Sequence, residues 1–236
     1  MIKNLLQNYI KDYKITLTEN QYEQFQKYFE LLAEWNEKMN LTAITDESGV
    51  ALKHFADSLS LLNFVDIPQN SSLADVGTGA GFPGVVLKIA RPDIKLTLID
   101  SLNKRLVFLG EVCAQLGIEA ELIHSRAEDG ARDEKLRENF DFAVSRAVAR
   151  MNVLSEYCLP YVKVGGAFCA MKGAQANEEF KESLNAINTL GGKLGKKYFF
   201  ELPENGGERA IAVVRKVKNT PQKYPRQSGK IKAKAL

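Results

Sequence analysis

Two hydrophobic rhythms divide the chain. Up to about residue 66, apolar residues recur at helical spacing; from residue 73, short apolar runs alternate with longer amphipathic ones. In the first part, Thr18 opens "TENQ" with Gln21 three residues on, the pattern of a capping box. Tyr22, Phe25, Phe29 and Leu32 then recur along one row, and Tyr28, Leu31 and Trp35 along its neighbour. A helix apolar over so wide a face is predicted to pack on two sides. "NLTAITDES" (40–48) interrupts the pattern with turn residues, a second helix is predicted over Val50 to Phe64, and "DIPQNSS" (66–72) has the composition of a linker.

In the second part, apolar runs at 73–77, 95–100, 120–125, 141–146 and 167–172 read as strands, with helical segments between most of them. One helix is predicted after Gly81. Another follows Ser101, with Leu102, Leu106, Leu109 and Cys113 inward and Gly117 at its close. "GKKYFFEL" and "RAIAVVRKV" flank "PENGGE", an antiparallel hairpin signal. Strand–helix alternation implies a mainly parallel sheet with helices on both faces. The fold class expected is therefore α/β and Rossmann-like, a seven-stranded mainly parallel sheet ending in an antiparallel hairpin, behind an N-terminal helical extension. Residues 1–66 form the helical region, 67–217 the α/β domain, and 218–236 an extended basic tail.

Composition narrows the class. No apolar run reaches the ~20 residues a bilayer needs, and "MIKNLLQNYIKDY" is too polar for a signal peptide. Cys113, Cys158 and Cys169 are odd in number and form no close pairs, which suits reduced thiols in a cytoplasm. Cys158 reads as a core residue. Two histidines, His54 and His124, give no metal-site spacing, and no metal is expected. The net charge of +3 hides an asymmetry. Residues 215–236 hold eight of the 32 Lys/Arg and none of the 29 Asp/Glu, so the remaining 24 basic residues leave the body at −5. A basic tail on an acidic body fits contact with nucleic acid, or a solubilising terminus.

"LADVGTGAGFPG" (73–84) carries the first chemistry. At the carboxyl ends of parallel strands a ligand sits where the strand order reverses, and Gly77, Gly79 and Gly81 let the main chain approach one without Cβ clashes. "GAGFPG" matches the dinucleotide template in isolation, which keeps a nicotinamide-dependent (NAD(P)) oxidoreductase open. Asp75 argues the other way: its carboxylate would repel a pyrophosphate and suits the cationic ammonium and sulfonium of S-adenosylmethionine. Asp100, ending "KLTLID", would accept hydrogen bonds from ribose hydroxyls of either cofactor.

"DVGTGAGFPG", "LTLIDSLNKRLVFL", "SRAE" and "FAVSRAVAR", with "WNEKMNLTAI" and "HFADSL", resemble the small-subunit ribosomal RNA methyltransferase G family, also called glucose-inhibited division protein B. The resemblance runs over nearly the whole chain. It implies a class I S-adenosylmethionine-dependent methyltransferase acting on N7 of a guanine in 16S ribosomal RNA or the small ribosomal subunit. It also implies that Gly77 and Phe82 line the cofactor, that Ala127 and Glu128 flank its adenine, and that Arg146 completes the pocket.

Guanine N7 carries an in-plane lone pair, so transfer is a positioning task and no general base is expected. Candidates for positioning the substrate are Arg146 and Arg150 in "SRAVAR", and Lys172 in "AMKG". A surface pairing of Arg146 with Asp141 or Glu128 is the alternative. His54 and Asp57, one helical turn apart, read first as a packing or capping pair and second as a wall of the cofactor cleft. Lys104 and Arg105, cations at a helix start, point to an anionic partner. The remaining alternative is a non-catalytic RNA-binding protein on a methyltransferase fold. A monomer is expected.

Overall fold

The computed structural model describes all 236 residues. The chain opens with α1 (Ile2–Tyr9) and α2 (Glu19–Met39). The capping box at Thr18 forms as the spacing predicts: Gln21 N–H donates to Thr18 Oγ1 (3.3 Å), and Thr18 N–H to Gln21 Oε1 (2.8 Å). The next helix starts three residues earlier than expected, because Asp46 caps it through Gly49 N–H (2.7 Å). It runs as α3 (Glu47–Val50), a π-helical stretch over Ala51–Ala56, and α4 (Asp57–Phe64). Such π turns shift the side-chain register and are frequent at functional sites.

The α/β part follows as β1 (Ser72–Val76), α5 (Gly84–Ala90), β2 (Lys95–Asp100), α6 (Asn103–Leu116), β3 (Ala120–His124), α7 (Ala127–Gly130), β4 (Phe140–Arg146) and α8 (Met151–Cys158). Then come β5 (Val162–Lys172), α9 (Ala176–Glu182), α10 (Leu184–Thr189), β6 (Gly192–Glu201), β7 (Glu208–Lys216) and α11 (Ser228–Ala233). The seven strands are ordered β3-β2-β1-β4-β5-β7-β6. β1 to β5 pair in parallel, and β7 inserts antiparallel between β5 and β6. The order reverses at β1, between β2 and β4, which opens a crevice beyond the carboxyl ends of these strands.

Side-chain alternation divides the core. Leu73 and Val144 face one cluster of 41 buried residues, whereas Ala74 and Ala143 face another of 25. The larger cluster is continuous with Phe25, Tyr28, Leu32 and Phe55 of the N-terminal helices, so these helices complete one face of the sheet. α2 packs on both α5 and α6, as its wide apolar face predicts. No helix is long and apolar enough to cross a membrane.

Residues 218–236 are not an extended tail. They fold back across α8, burying Thr220, Tyr224 and Ile231 and ending in α11. Paired polar groups hold the strap. Arg226 forks onto the buried Glu156 (Nη2–Oε2 2.7 Å). Arg137 donates to the carbonyls of Tyr224 (2.9 Å) and Thr220 (2.8 Å), and Arg132 to that of Pro225. The buried Lys216 ammonium meets Glu138 (2.8 Å), Thr220 Oγ1 (2.9 Å) and two carbonyls. Polarity misled the sequence reading here: the strap's Arg226, and Lys216 just before it, set their charge on fixed acceptors rather than on water. Ile231→Ala is expected to cost about 2 kcal/mol of stability, the low end for emptying a buried site, and to speed trypsin cleavage at Lys223 and Arg226, checked by thermal melts and limited proteolysis.

Candidate functional site

The crevice holds a cavity of about 520 Å³, within the usual range for a cofactor site. The loop after β1 forms its floor. Gly77 (φ +73°), Gly79 (φ +62°) and Gly81 (φ +97°) all lie in the left-handed region that disfavours a side chain. At Gly79 a Cβ would meet nothing within 4 Å, because the cavity lies on that side; at Gly81 it would strike the Tyr28 hydroxyl. Tyr28 donates its hydroxyl hydrogen to the Ala80 carbonyl, and burial pushes its pKa well up, so it stays a donor. A residue of α2 therefore clamps the loop from behind.

Asp75 is placed differently from expectation. It is fully buried beneath the loop and is not on the cavity wall. Its Oδ2 accepts from Thr78 Oγ1 and Gly84 N–H, both at 2.8 Å, and so pins both ends of the turn. Oδ1 is buried without a partner. Desolvation raises the carboxyl to about 6, partly offset by the two hydrogen bonds. The local cause is α5, which begins at Gly84, three residues after Gly81: a Cβ at Gly84 would sit 2.7 Å from Asp75 Oδ2.

Gly77, Gly79, Phe82, Asp100, Ala127, Glu128 and Arg146 all line the cavity. Asp100, at the end of β2, is already engaged: Oδ2 accepts from Gly79 N–H (2.9 Å) and Arg105 (3.3 Å), and Oδ1 from Leu102 N–H (2.9 Å). Arg105 thus serves a carboxylate rather than an outside anion. Glu128, at the start of α7, is buried with Oε1 unpartnered, an acceptor facing no protein donor.

Arg146 ends β4 and pairs with neither Asp141 nor Glu128. Its guanidinium donates to Asp57 Oδ2 (2.8 Å), the Lys53 carbonyl (2.8 Å) and His54 Nδ1 (3.2 Å), and lies 5.2 Å from the Phe82 ring centroid. His54 stacks on Phe82, centroids 4.5 Å apart at 15°. Of the two readings of His54 and Asp57, the cleft wall holds for His54, which lines this cavity; Asp57 does not line it and instead pairs with Arg146. Burial, and then the Arg146 charge, lower the His54 pKa to about 3. The imidazole is neutral, accepts at Nδ1 from Arg146, and pairs at Nε2 with Thr42 Oγ1 (2.8 Å).

His54, Arg146, Ala147 and Val148 also border a second cavity of about 550 Å³. Lys172 and Arg150 are on its wall. Lys172 is not a solvated strand end: only 8% of its side chain is exposed, and it pairs with Glu179 (2.7 Å). Arg150 is more than half exposed and pairs with Glu182. Asp141 pairs instead with Lys163 and Ser72. Cys158 is fully buried, and burial pushes its thiol up, as a core residue requires. No group of three or more His, Cys, Asp or Glu is placed to hold a metal ion.

The family model for rRNA small subunit methyltransferase G matches residues 21–203. The chain is 54% identical over 223 residues to the ribosomal RNA small subunit methyltransferase G of Leuconostoc citreum (strain KM20), covering 93% of each chain. It is 49% identical over 230 residues to the protein of that name from Alkaliphilus oremlandii (strain OhILAs), covering 97% of this chain and 96% of the other. The chain belongs to the rRNA small subunit methyltransferase G family. Among solved structures, a SAM-dependent O-methyltransferase from Thermotoga maritima shares the fold, with TM-score 0.53, 14% identity, and 80% of this chain and 73% of that one covered.

Family and topology agree against the oxidoreductase alternative. The dinucleotide fold carries six parallel strands ordered 3-2-1-4-5-6, whereas here antiparallel β7 lies between β5 and β6. Within this methyltransferase cavity, sequence reasoning missed Tyr157, Ser228 and Lys232. The last two come from the strap, whose composition carries no signal of a folded wall. Leu41 and Thr42, also on the wall, stand in the quoted "NLTAI".

His54 gives a pH test. Its folded pKa is below the unfolded value of about 6.5, so below pH 6.5 the unfolded state binds the extra proton, and stability falls as pH drops from 6.5 towards 3. Asp75 works in the opposite sense between about 6 and its unfolded value, because its folded pKa is raised. His54→Asn is expected to lose less stability than wild type between pH 7 and pH 4.5, measured by thermal melts across that range.

Proposed function

We propose that this protein transfers the methyl group of S-adenosylmethionine to N7 of a guanine in 16S ribosomal RNA. The observation that carries the reading is the continuous family match over residues 21–203, which spans the glycine loop, Asp100, Glu128 and Arg146. The cavity fits that cofactor on its own features. The unpartnered Glu128 Oε1 suits an adenine amino group, and the Asp100 carboxylate keeps lone pairs for ribose hydroxyls. The open side of Gly79 lets the main chain approach the amino-acid end.

When bound, S-adenosylmethionine supplies an electrophilic methyl on a cationic sulfur. The residues around it have to align and shield rather than move protons. Guanine N7 would take that methyl on its own lone pair, and the positive charge would then lie on the purine. No side chain takes a proton. The neutral His54 and the Asp57-neutralised Arg146 add no uncompensated cation beside that charge. Asp75 acts through the loop it pins.

The regions divide the work accordingly. Residues 1–66 flank the cleft, 67–217 hold the cofactor, and the basic 218–236 meet ribosomal RNA in the cytoplasm. The active form is a monomer. Arg146, Arg150 and Lys172 position the RNA.

Labelled methyl should pass from S-adenosylmethionine to small subunits lacking the modification, with chain cleavage specific for 7-methylguanine at one position. Methylation at a pyrimidine would sink the reading, and no transfer at all would favour the non-catalytic alternative. Gly79→Val should abolish cofactor binding by bulk. Asp75→Ala, which removes the acceptor for Thr78 and Gly84 and so frees both ends of the loop, should bind S-adenosylmethionine more weakly, by calorimetry. Wild-type affinity in both variants would make the loop only a turn.

A further inference from the structure

The second cavity has a polarity of its own. It shares His54, Arg146, Ala147 and Val148 with the cofactor cavity, so a base held in it presents one edge to the methyl donor. Ile44, Met171 and Phe200 give it apolar walls. Two carboxylates reach it. Asp57 has both oxygens taken, Oδ2 by Arg146 (2.8 Å) and Oδ1 by Arg209 (3.3 Å). Glu179, on α9, is different. Its Oε2 accepts from Met151 N–H (2.8 Å) and is ion-paired with Lys172 Nζ (2.7 Å), while Oε1 has no partner and is not sealed from the cavity. Lys172 Nζ donates to the Ala149 carbonyl and is ion-paired with Glu179, which leaves at least one of its three hydrogens free. The cavity wall therefore offers a fixed donor beside a fixed free acceptor.

Resting on the guanine-N7 reading above, we propose that Glu179 and Lys172 read the target base: Lys172 donates to guanine O6 and Glu179 Oε1 accepts from guanine N1–H. Guanine presents an acceptor at O6 beside a donor at N1. Adenine presents the reverse, an amino donor beside an acceptor nitrogen, and would set like against like on both contacts. N7 is available in both purines, so N7 reactivity alone does not choose between them; this edge does. In guanine, O6 lies between N7 and N1, so an edge held by the Lys172–Glu179 pair leaves N7 free to face the shared wall at His54 and Arg146. Both side chains are pre-set: Lys172 is anchored to the loop after β4, and Glu179 to the first residue of α8. Little ordering remains when the base arrives.

Small subunits reconstituted with 16S RNA carrying guanine, inosine, 2-aminopurine or adenine at the mapped position test this. Inosine keeps O6 and N1–H, and 2-aminopurine lacks both. Wild type should methylate inosine within a few fold of guanine, and reject 2-aminopurine and adenine by about tenfold to a hundredfold in kcat/KM. In Glu179→Gln the amide oxygen stays with Met151 and Lys172, so an NH2 faces the base. Guanine transfer should fall by a similar factor, the guanine-to-adenine ratio should shrink, and S-adenosylmethionine affinity by calorimetry should not change. Glu179→Asp, which keeps the carboxylate, should recover discrimination in part. Unaltered base discrimination in Glu179→Gln overturns the inference, as does an equal loss on all four bases. Transfer by wild type is read in the same assay. If wild type transfers no methyl, the guanine-N7 reading fails and this inference with it; if it transfers while the variant discriminates normally, this inference alone fails.

Discussion

The guanidinium of Arg146 joins the parts of the molecule that have to agree. It ends β4, pairs with Asp57 and the Lys53 carbonyl on the helix over Glu47–Phe64, bonds His54, and lies over Phe82 of the glycine loop. Only 12% of its side chain is exposed. A buried ion pair of this kind earns little net stability, because both charges lose water. What it provides is geometry. Arginine's planar fork fixes several acceptors at once, and here they come from opposite sides of one crevice. The same side chain separates two cavities, so its position sets where a bound methyl donor and an acceptor meet.

Behind Arg146 the aromatic residues make the crevice rigid. His54 on Phe82, Phe82 on Tyr28 (5.5 Å) and Tyr28 on Phe55 (5.4 Å) form a chain of stacked rings from cavity to core. Within that chain Tyr28 sets its hydroxyl on the loop's own backbone. The loop is thus held from behind by α2 and from below by Asp75, and its open face is left to the ligand. Placing a methyl in line with an attacking nitrogen depends on errors well under an ångström, and a loop braced on two sides suits that task.

The fold was largely legible. Strand periods, the Gly-bounded helices and the Asn-Gly-Gly hairpin each report local geometry, and all seven strands form where they are predicted. β5 is longer than its apolar run, because it begins at Val162, which pairs with Phe140 ahead of a register shift, and residues 163–165 that follow are exposed. The cavity wall was legible in seven of the residues expected there, because loop glycines and strand-end acids carry their position in their neighbours. Asp75 was placed in the wrong layer. Spacing located it at a strand end, but not which way its carboxylate turned, and that depends on the Thr78 hydroxyl and the Gly84 amide nearby. The strap was misjudged for a related reason. Arg226 looks solvated until Glu156 is found opposite it, and the strap's backbone looks free until Arg132 and Arg137 are found on its carbonyls.

The sequence by itself determined the order of elements, the glycine loop and the family, since each rests on residues close together in the chain or on a pattern repeated in relatives. Tertiary structure alone decided which charges neutralise which. Arg146 is 89 residues from Asp57, Glu156 is 70 from Arg226, and Glu179 is 28 from the amide it caps. No local period encodes such pairs. They form because a buried charge without a partner is too costly to keep, and only the folded chain shows which partner is within reach.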